Sequence, residues 1–172
     1  MIHKTVLLKE VIQYLNPKPN ENFIDATFGL GGHSFEILKY IKPQGKILAL
    51  EWDPHLVEII KPKIMKEKNI ILKNQNFKKI VKEENFSNVK GVIFDLGISN
   101  WHYQNSGRGF SFKKDEQLDM RINPYEIKLT AFDVINYFSK EELTEIFSKY
   151  GEEEKAKTIA EEIVKKRKSK KI

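Results

Sequence analysis

Short apolar runs alternate with longer amphipathic stretches through the first half of the chain. Phe23-Ile24-Asp25-Ala26 reads as a strand, followed by a glycine-rich turn and a helix from about Gly32 to Ile41. Lys46 to Leu50 is a second strand. Pro54 to about Lys66 is a helix with Leu56, Val57, Ile60 and Ile64 as its apolar positions. Asn69 to Leu72 reads as a third strand and Val92-Ile93-Phe94-Asp95 as a fourth. Strands separated by helices imply right-handed crossovers and a parallel sheet that binds ligands at its carboxyl edge. The predicted fold class is α/β.

After Asp95 the pattern changes. Residues 96–128 are polar and aromatic, punctuated by Gly97, Gly107, Gly109 and Pro124, and longer than a plain connection. Ser139-Lys-Glu-Glu142 has the form of a capping box, opening a helix that Gly151 would close. Glu152 to Lys168 reads as a further helix with Ile159, Ala160, Ile163 and Val164 on one face, running out into an exposed basic end. No fifth strand is predicted. Four strands alone leave one side of the sheet uncovered, so the chain is expected to be incomplete.

With 172 residues, 40% of them hydrophobic, the chain can bury a core, which excludes wholesale disorder. The lack of cysteine excludes disulfides, thiolate zinc sites and cysteine nucleophiles. His3, His33, His55 and His102 show no metal-ligand spacing, so no metal is expected. No apolar run approaches the ~18 residues of a membrane span. The opening Met1-Ile2-His3-Lys4-Thr5 lacks the shape of a secretory leader. A soluble, cytoplasmic protein without a membrane partner is expected. The net charge of +6 points to nucleic acid, but Lys165 to Ile172 holds six cations and no acid. Without those six, the 30 basic residues fall to 24, equal to the 24 acidic ones. The excess charge therefore belongs to the tail.

Two stretches carry candidate chemistry. The first is Asp25-Ala-Thr-Phe-Gly29-Leu-Gly31-Gly32-His33-Ser34, where glycines after a strand let the main chain approach a ligand at a helix N-terminus. The pattern is close to a dinucleotide fingerprint with Ser34 in the last glycine position. Asp25 opposes that reading, because a carboxylate there repels a pyrophosphate and suits the ammonium and sulfonium of S-adenosylmethionine. Glu51, 22 residues after Gly29, fits the acidic position that grips ribose hydroxyls. Asp53 is its rival, and one of the two caps the helix entered at Pro54. Phe77 is either an adenine platform or core.

The second stretch, Asp95-Leu-Gly97-Ile-Ser99-Asn100-Trp101-His102-Tyr103, ends the fourth strand, where reacting groups gather. Methyl transfer to an exocyclic amine needs a group that accepts the amine's hydrogen bond and holds its lone pair in line. Asp95 can do this without a metal. Arg108 and Arg121 either clamp phosphates or pin the loop through Asp115 and Asp119. Phe110 and Phe112 can stack on bases.

Together, Thr27-Phe-Gly29 with Gly31-Gly32-His33-Ser34, Asp95-Leu-Gly-Ile-Ser99, Arg108-Gly-Phe-Ser-Phe112 and Leu118-Asp-Met-Arg121 resemble the bacterial 16S ribosomal RNA (cytosine-N4)-methyltransferase family. His3-Lys-Thr-Val-Leu-Leu8 and Tyr150-Gly-Glu-Glu153 match as well, so the resemblance runs from His3 to about Arg167. It implies a Rossmann-like methyltransferase fold, with 1–103 as the N-terminal half of the core. Residues 104–172 would be the loop and first helices of an inserted substrate-binding domain. It implies S-adenosylmethionine as cofactor and a cytidine of 16S ribosomal RNA, within the small ribosomal subunit, as acceptor. Cofactor contacts would fall on Asp25, Gly31, Gly32, His33, Glu51, Phe77, Asp95 and His102, with Asp95 catalytic. Glu51 stands where the family usually has Asp, and His102 occupies a glutamine position. Family members run to nearly twice this length, so the chain is read as their N-terminal part, expected to be inactive alone and active at full length. The alternatives are a remnant that binds cofactor or RNA without turnover, and a dinucleotide-dependent oxidoreductase.

Overall fold

The computed structural model describes residues 5–82 and 86–172. His3 and Lys4 of the opening motif lie outside the described residues. The chain divides into two compact units, Met1–Ser99 and Asn100–Ile172.

In the first unit, four strands pair in parallel: β1 (Asn22–Asp25), β2 (Ile47–Glu51), β3 (Ile70–Asn74) and β4 (Val89–Ile93), in the order β3-β2-β1-β4. The run Ile47-Leu-Ala-Leu is apolar throughout, as a strand covered on both faces must be, and every residue of β2 is buried. Three helices accompany the sheet: α1 (Leu8–Leu15), α2 (Gly32–Ile41) and α3 (Pro54–Ile64). Phe23, Ile47 and Ala49 of the sheet pack with Ile37, Leu38 and Ile41 of α2 and Ile60 of α3, while α1 adds Val11, Ile12 and Leu15. Parallel strands joined through α2 and α3 make this unit a Rossmann-like α/β fold.

Most predicted elements lie within a few residues of their expected places. β4 is the larger displacement, starting at Val89 and ending before Asp95. The cause is Gly91, which reads as a strand breaker but is needed here: a Cβ would meet Leu15 and Phe23 within 2.8–3.0 Å. α1 is not among the predicted elements, although Leu8, Val11, Ile12 and Leu15 have helical spacing.

The second unit is helical among its described residues: α4 (Asn100–Asn105), α5 (Ala131–Tyr137), α6 (Lys140–Gly151) and α7 (Ala156–Arg167). Two capping boxes set its helix starts. Thr130 and Asp133 exchange hydrogen bonds ahead of α5, and Ser139 and Glu142 do so ahead of α6. No helix among the described residues is long and apolar enough to cross a membrane.

Candidate functional site

Because β1 lies between β2 and β4, the crossovers leave its carboxyl end in opposite directions, and that switch point is where such sheets open a crevice. The main chain leaves β1 in a tightly tied turn. The Ala26 N–H donates to the Ile93 carbonyl (2.9 Å) and the Phe28 N–H to that of Leu50 (2.9 Å). Gly31 has φ +81°, and a Cβ there would lie 2.6–2.7 Å from the rings of Phe35 and Phe28. Only glycine fits. Gly32 starts α2 directly beneath Thr5, whose hydroxyl occupies the space a Cβ would need.

Asp25 ends β1 and is 2% exposed. Its carboxylate accepts hydrogen bonds from the Ser34 hydroxyl (2.7 Å) and the Thr27 N–H (3.2 Å). Burial pushes this carboxyl above the usual carboxylate range, and the bonds from Ser34 and Thr27 offset that only in part. His33, 7% exposed, places Nε2 2.9 Å from the Val6 carbonyl and Nδ1 3.9 Å from Oδ2 of Asp95. The Asp95 side chain is half exposed, and its N–H donates to the Thr27 hydroxyl at 2.7 Å. Thr27 thus adds a side-chain rung where the β1–β4 ladder ends.

Glu51 closes β2 with its carboxylate turned to the same edge. It accepts from the Gly29 N–H (2.8 Å) and the Asp53 N–H (2.7 Å) and is 8% exposed. Asp53 accepts from the His55 N–H at 2.9 Å and is the N-cap of α3. The two acids therefore divide the work: Asp53 ends a helix, and Glu51 ties the glycine turn to the sheet. Phe77, at the start of the 3₁₀ turn Phe77–Lys82, is partly exposed and meets Phe94 edge-on at 5.6 Å. The structure thus brings Asp25, Gly31, Gly32, His33, Glu51 and Asp95 to one end of one sheet. Thr27, Thr5 and Val6 are participants that sequence reasoning missed. For Val6 no local signal existed, because its partner His33 lies 27 residues away.

His102 belongs to the second unit, buried with its ring edge-on to Trp101 (5.4 Å) and Phe110 (5.3 Å). Arg108 lies over both of those rings and donates from Nη1 to the carbonyls of Arg121 (2.7 Å) and Ile122 (2.9 Å). Arg121 forms a forked pair with Asp119, at 2.8 and 2.6 Å. Both arginines are engaged inside the loop, which favours the pinning reading over a phosphate clamp. Phe110 is buried while Phe112, two positions on, is 97% exposed. The basic tail departs from expectation. α7 stops at Arg167, whose guanidinium donates to the carbonyls of Ile135 (2.6 Å) and Phe138 (2.5 Å) at the end of α5. The Asn136 side chain then pairs with both the N–H and the carbonyl of Ile172 (2.9 Å each). The last residues fold back instead of extending the helix.

A family profile described as the MraW methylase family matches residues 1–172. Among curated relatives, the chain is 44% identical over 176 residues to Ribosomal RNA small subunit methyltransferase H of Dictyoglomus thermophilum, covering 99% of this chain and 59% of that protein. It is 43% identical to the protein of the same name from Caldicellulosiruptor saccharolyticus, with 99% and 56% covered. The chain therefore spans less than two thirds of the length of these relatives.

Proposed function

The chain belongs to the MraW methylase family, and from that premise we propose that its sheet edge binds S-adenosylmethionine and directs methyl transfer to the exocyclic N4 amine of a cytidine in small-subunit ribosomal RNA. The observation that carries the reading is Asp95: a half-exposed carboxylate at the switch point, its main chain held by Thr27, beside the Gly31–His33 turn. The name borne by the relatives supports the RNA acceptor. This partner puts the chain in the cytoplasm, with the ribosome.

The residues at this edge fit the cofactor. Gly31 holds the turn close to the sheet edge, because a Cβ there would collide with the rings of Phe28 and Phe35. Glu51 and Asp95 put carboxylates at this edge, which favours an ammonium and a sulfonium and disfavours the pyrophosphate of a dinucleotide. Gly32 and His33 lie in the first turn of α2, where main-chain N–H groups have no partner within the helix. Glu51, oriented by the Gly29 and Asp53 N–H groups, stands at the strand end where an acidic residue grips ribose hydroxyls in such sheets. Phe77 supplies a ring face for the adenine, and Asp25 a buried acceptor that holds Ser34 and Thr27 in place. In this reading residues 1–103 form the core and 104–172 begin the substrate-binding domain.

When bound, the cofactor supplies a methyl group already activated by its sulfonium. The protein's task is placement. Asp95 accepts one hydrogen of the amine, so that the nitrogen lone pair lies along the line of transfer, and the anchored turn keeps that carboxylate still. Misplacement on the order of 1 Å costs about 10²-fold in such reactions. The test is to incubate the protein at the full length of its relatives with labelled S-adenosylmethionine and unmethylated small subunits and then analyse the digested nucleosides. N4-methylcytidine is expected, with a loss of about 10²-fold or more in Asp95→Ala. Label on any other nucleoside, or transfer that survives Asp95→Ala, would contradict the reading.

A further inference from the structure

We infer that His33 is the general base of the reaction, taking the proton released from the methylated amine on its Nδ1 atom. The inference rests on the methyltransferase reading above and adds to it a residue with a chemical role. A carbonyl oxygen can only accept, so the 2.9 Å contact with Val6 requires the hydrogen of the neutral ring to sit on Nε2. Nδ1 then carries the lone pair. It faces Oδ2 of Asp95 across 3.9 Å, too far for a direct hydrogen bond.

Two acceptors facing each other across a short gap suit a donor with two hydrogens. A primary exocyclic amine is such a donor, giving one N–H to Asp95 and the other to Nδ1, with its lone pair left for the methyl group. As the nitrogen–carbon bond forms, the carbon–sulfur bond breaks and its electron pair goes to sulfur. The nitrogen, now cationic, loses the hydrogen that points at His33, and the imidazole becomes an imidazolium. Between turnovers that proton passes to water. The titratable groups facing the ring are Asp25 from β1 and Asp95 beyond β4, both carboxyls, which stabilise the cation. From the segment before α1 it meets the Val6 carbonyl. Imidazole, with an ordinary pKa of ~6.5, is a better match to neutral pH than a carboxylate near ~4.

His33→Gln is the informative variant, because its side-chain amide can still donate to Val6 but has no basic nitrogen. Single-turnover methyl transfer at saturating S-adenosylmethionine should fall by about 10²–10⁴-fold, the usual share of a general base, well beyond any change in cofactor affinity. Nitrogen NMR of the His33 ring provides a readout independent of turnover. The neutral ring should carry its hydrogen on Nε2. A neutral ring protonated on Nδ1 overturns the inference, whatever the activity. Full transfer in His33→Gln, or a loss lying wholly in cofactor affinity, also overturns it and leaves the methyltransferase reading standing. A full-length wild-type protein that transfers no methyl group removes both.

Discussion

At the scale of single residues, the acids at the strand ends govern both stability and binding. Burial holds the Asp25 carboxyl above its ordinary range, so folding favours its protonated form. That contribution is complete below the unfolded value, near ~4, and is lost as pH rises through the raised folded value. Urea denaturation at a series of pH values should therefore show wild-type stability declining over that interval relative to Asp25→Asn, which keeps an acceptor for Ser34. Parallel curves would argue against the buried charge. Glu51→Gln should weaken S-adenosylmethionine binding by about 1–3 kcal/mol, the scale of a charge-assisted hydrogen bond, read as a shift in Kd. Asp25, Glu51 and Asp95 were legible as acids at the ends of apolar runs, because strand direction alone puts them at one edge. The contacts of Thr27 with Asp95 and of Val6 with His33 were not legible, since each joins residues far apart in the chain and depends on how strands and helices close up.

At the scale of elements, the legible parts are those with local rules. Ser139 and Glu142 exchange hydrogen bonds at the start of α6 as their spacing predicts. Ser139→Ala should cost about 1 kcal/mol in thermal unfolding. The loop before α5 is held by the long reach of Arg108 to the Arg121 and Ile122 carbonyls and by the local Asp119–Arg121 pair. That pair is one of the two readings open from the sequence. The Arg121 guanidinium beside Asp119 holds its carboxyl below the usual range. Its contribution is present above the unfolded value and is lost as pH falls through the lowered folded value. Arg121→Lys keeps the charge but not the fork, and should lower the unfolding midpoint at neutral pH. The difference from wild type should shrink on acidification, and a constant difference would assign the effect to packing. Gly91 shows the opposite limit of legibility: it looks like a breaker in isolation, yet β4 passes through it because Phe23 and Leu15 need the room.

At the scale of the whole molecule, the +6 charge is a property of the tail and does not by itself name a partner. The tail both carries the excess charge and folds back on α5, so deleting it would confuse binding with stability. Replacing Lys165, Lys166, Lys168 and Lys170 by alanine keeps Arg167 and the pairing of Ile172 with Asn136. RNA affinity should then fall alike for all sequences, and its salt dependence should flatten by roughly 0.7 for each single-strand phosphate that the lysines no longer neutralise. An effect confined to one sequence would mean that the tail reads bases. Whatever the acceptor, the claim on which the rest depends is that the carboxyl edge of this sheet takes a cationic cofactor and not a dinucleotide. Parallel calorimetric titrations of the chain with S-adenosylmethionine and with NAD test it most directly. S-adenosylmethionine should bind the more tightly, with affinity falling in Glu51→Gln. Tighter binding of NAD would contradict the assignment of this edge.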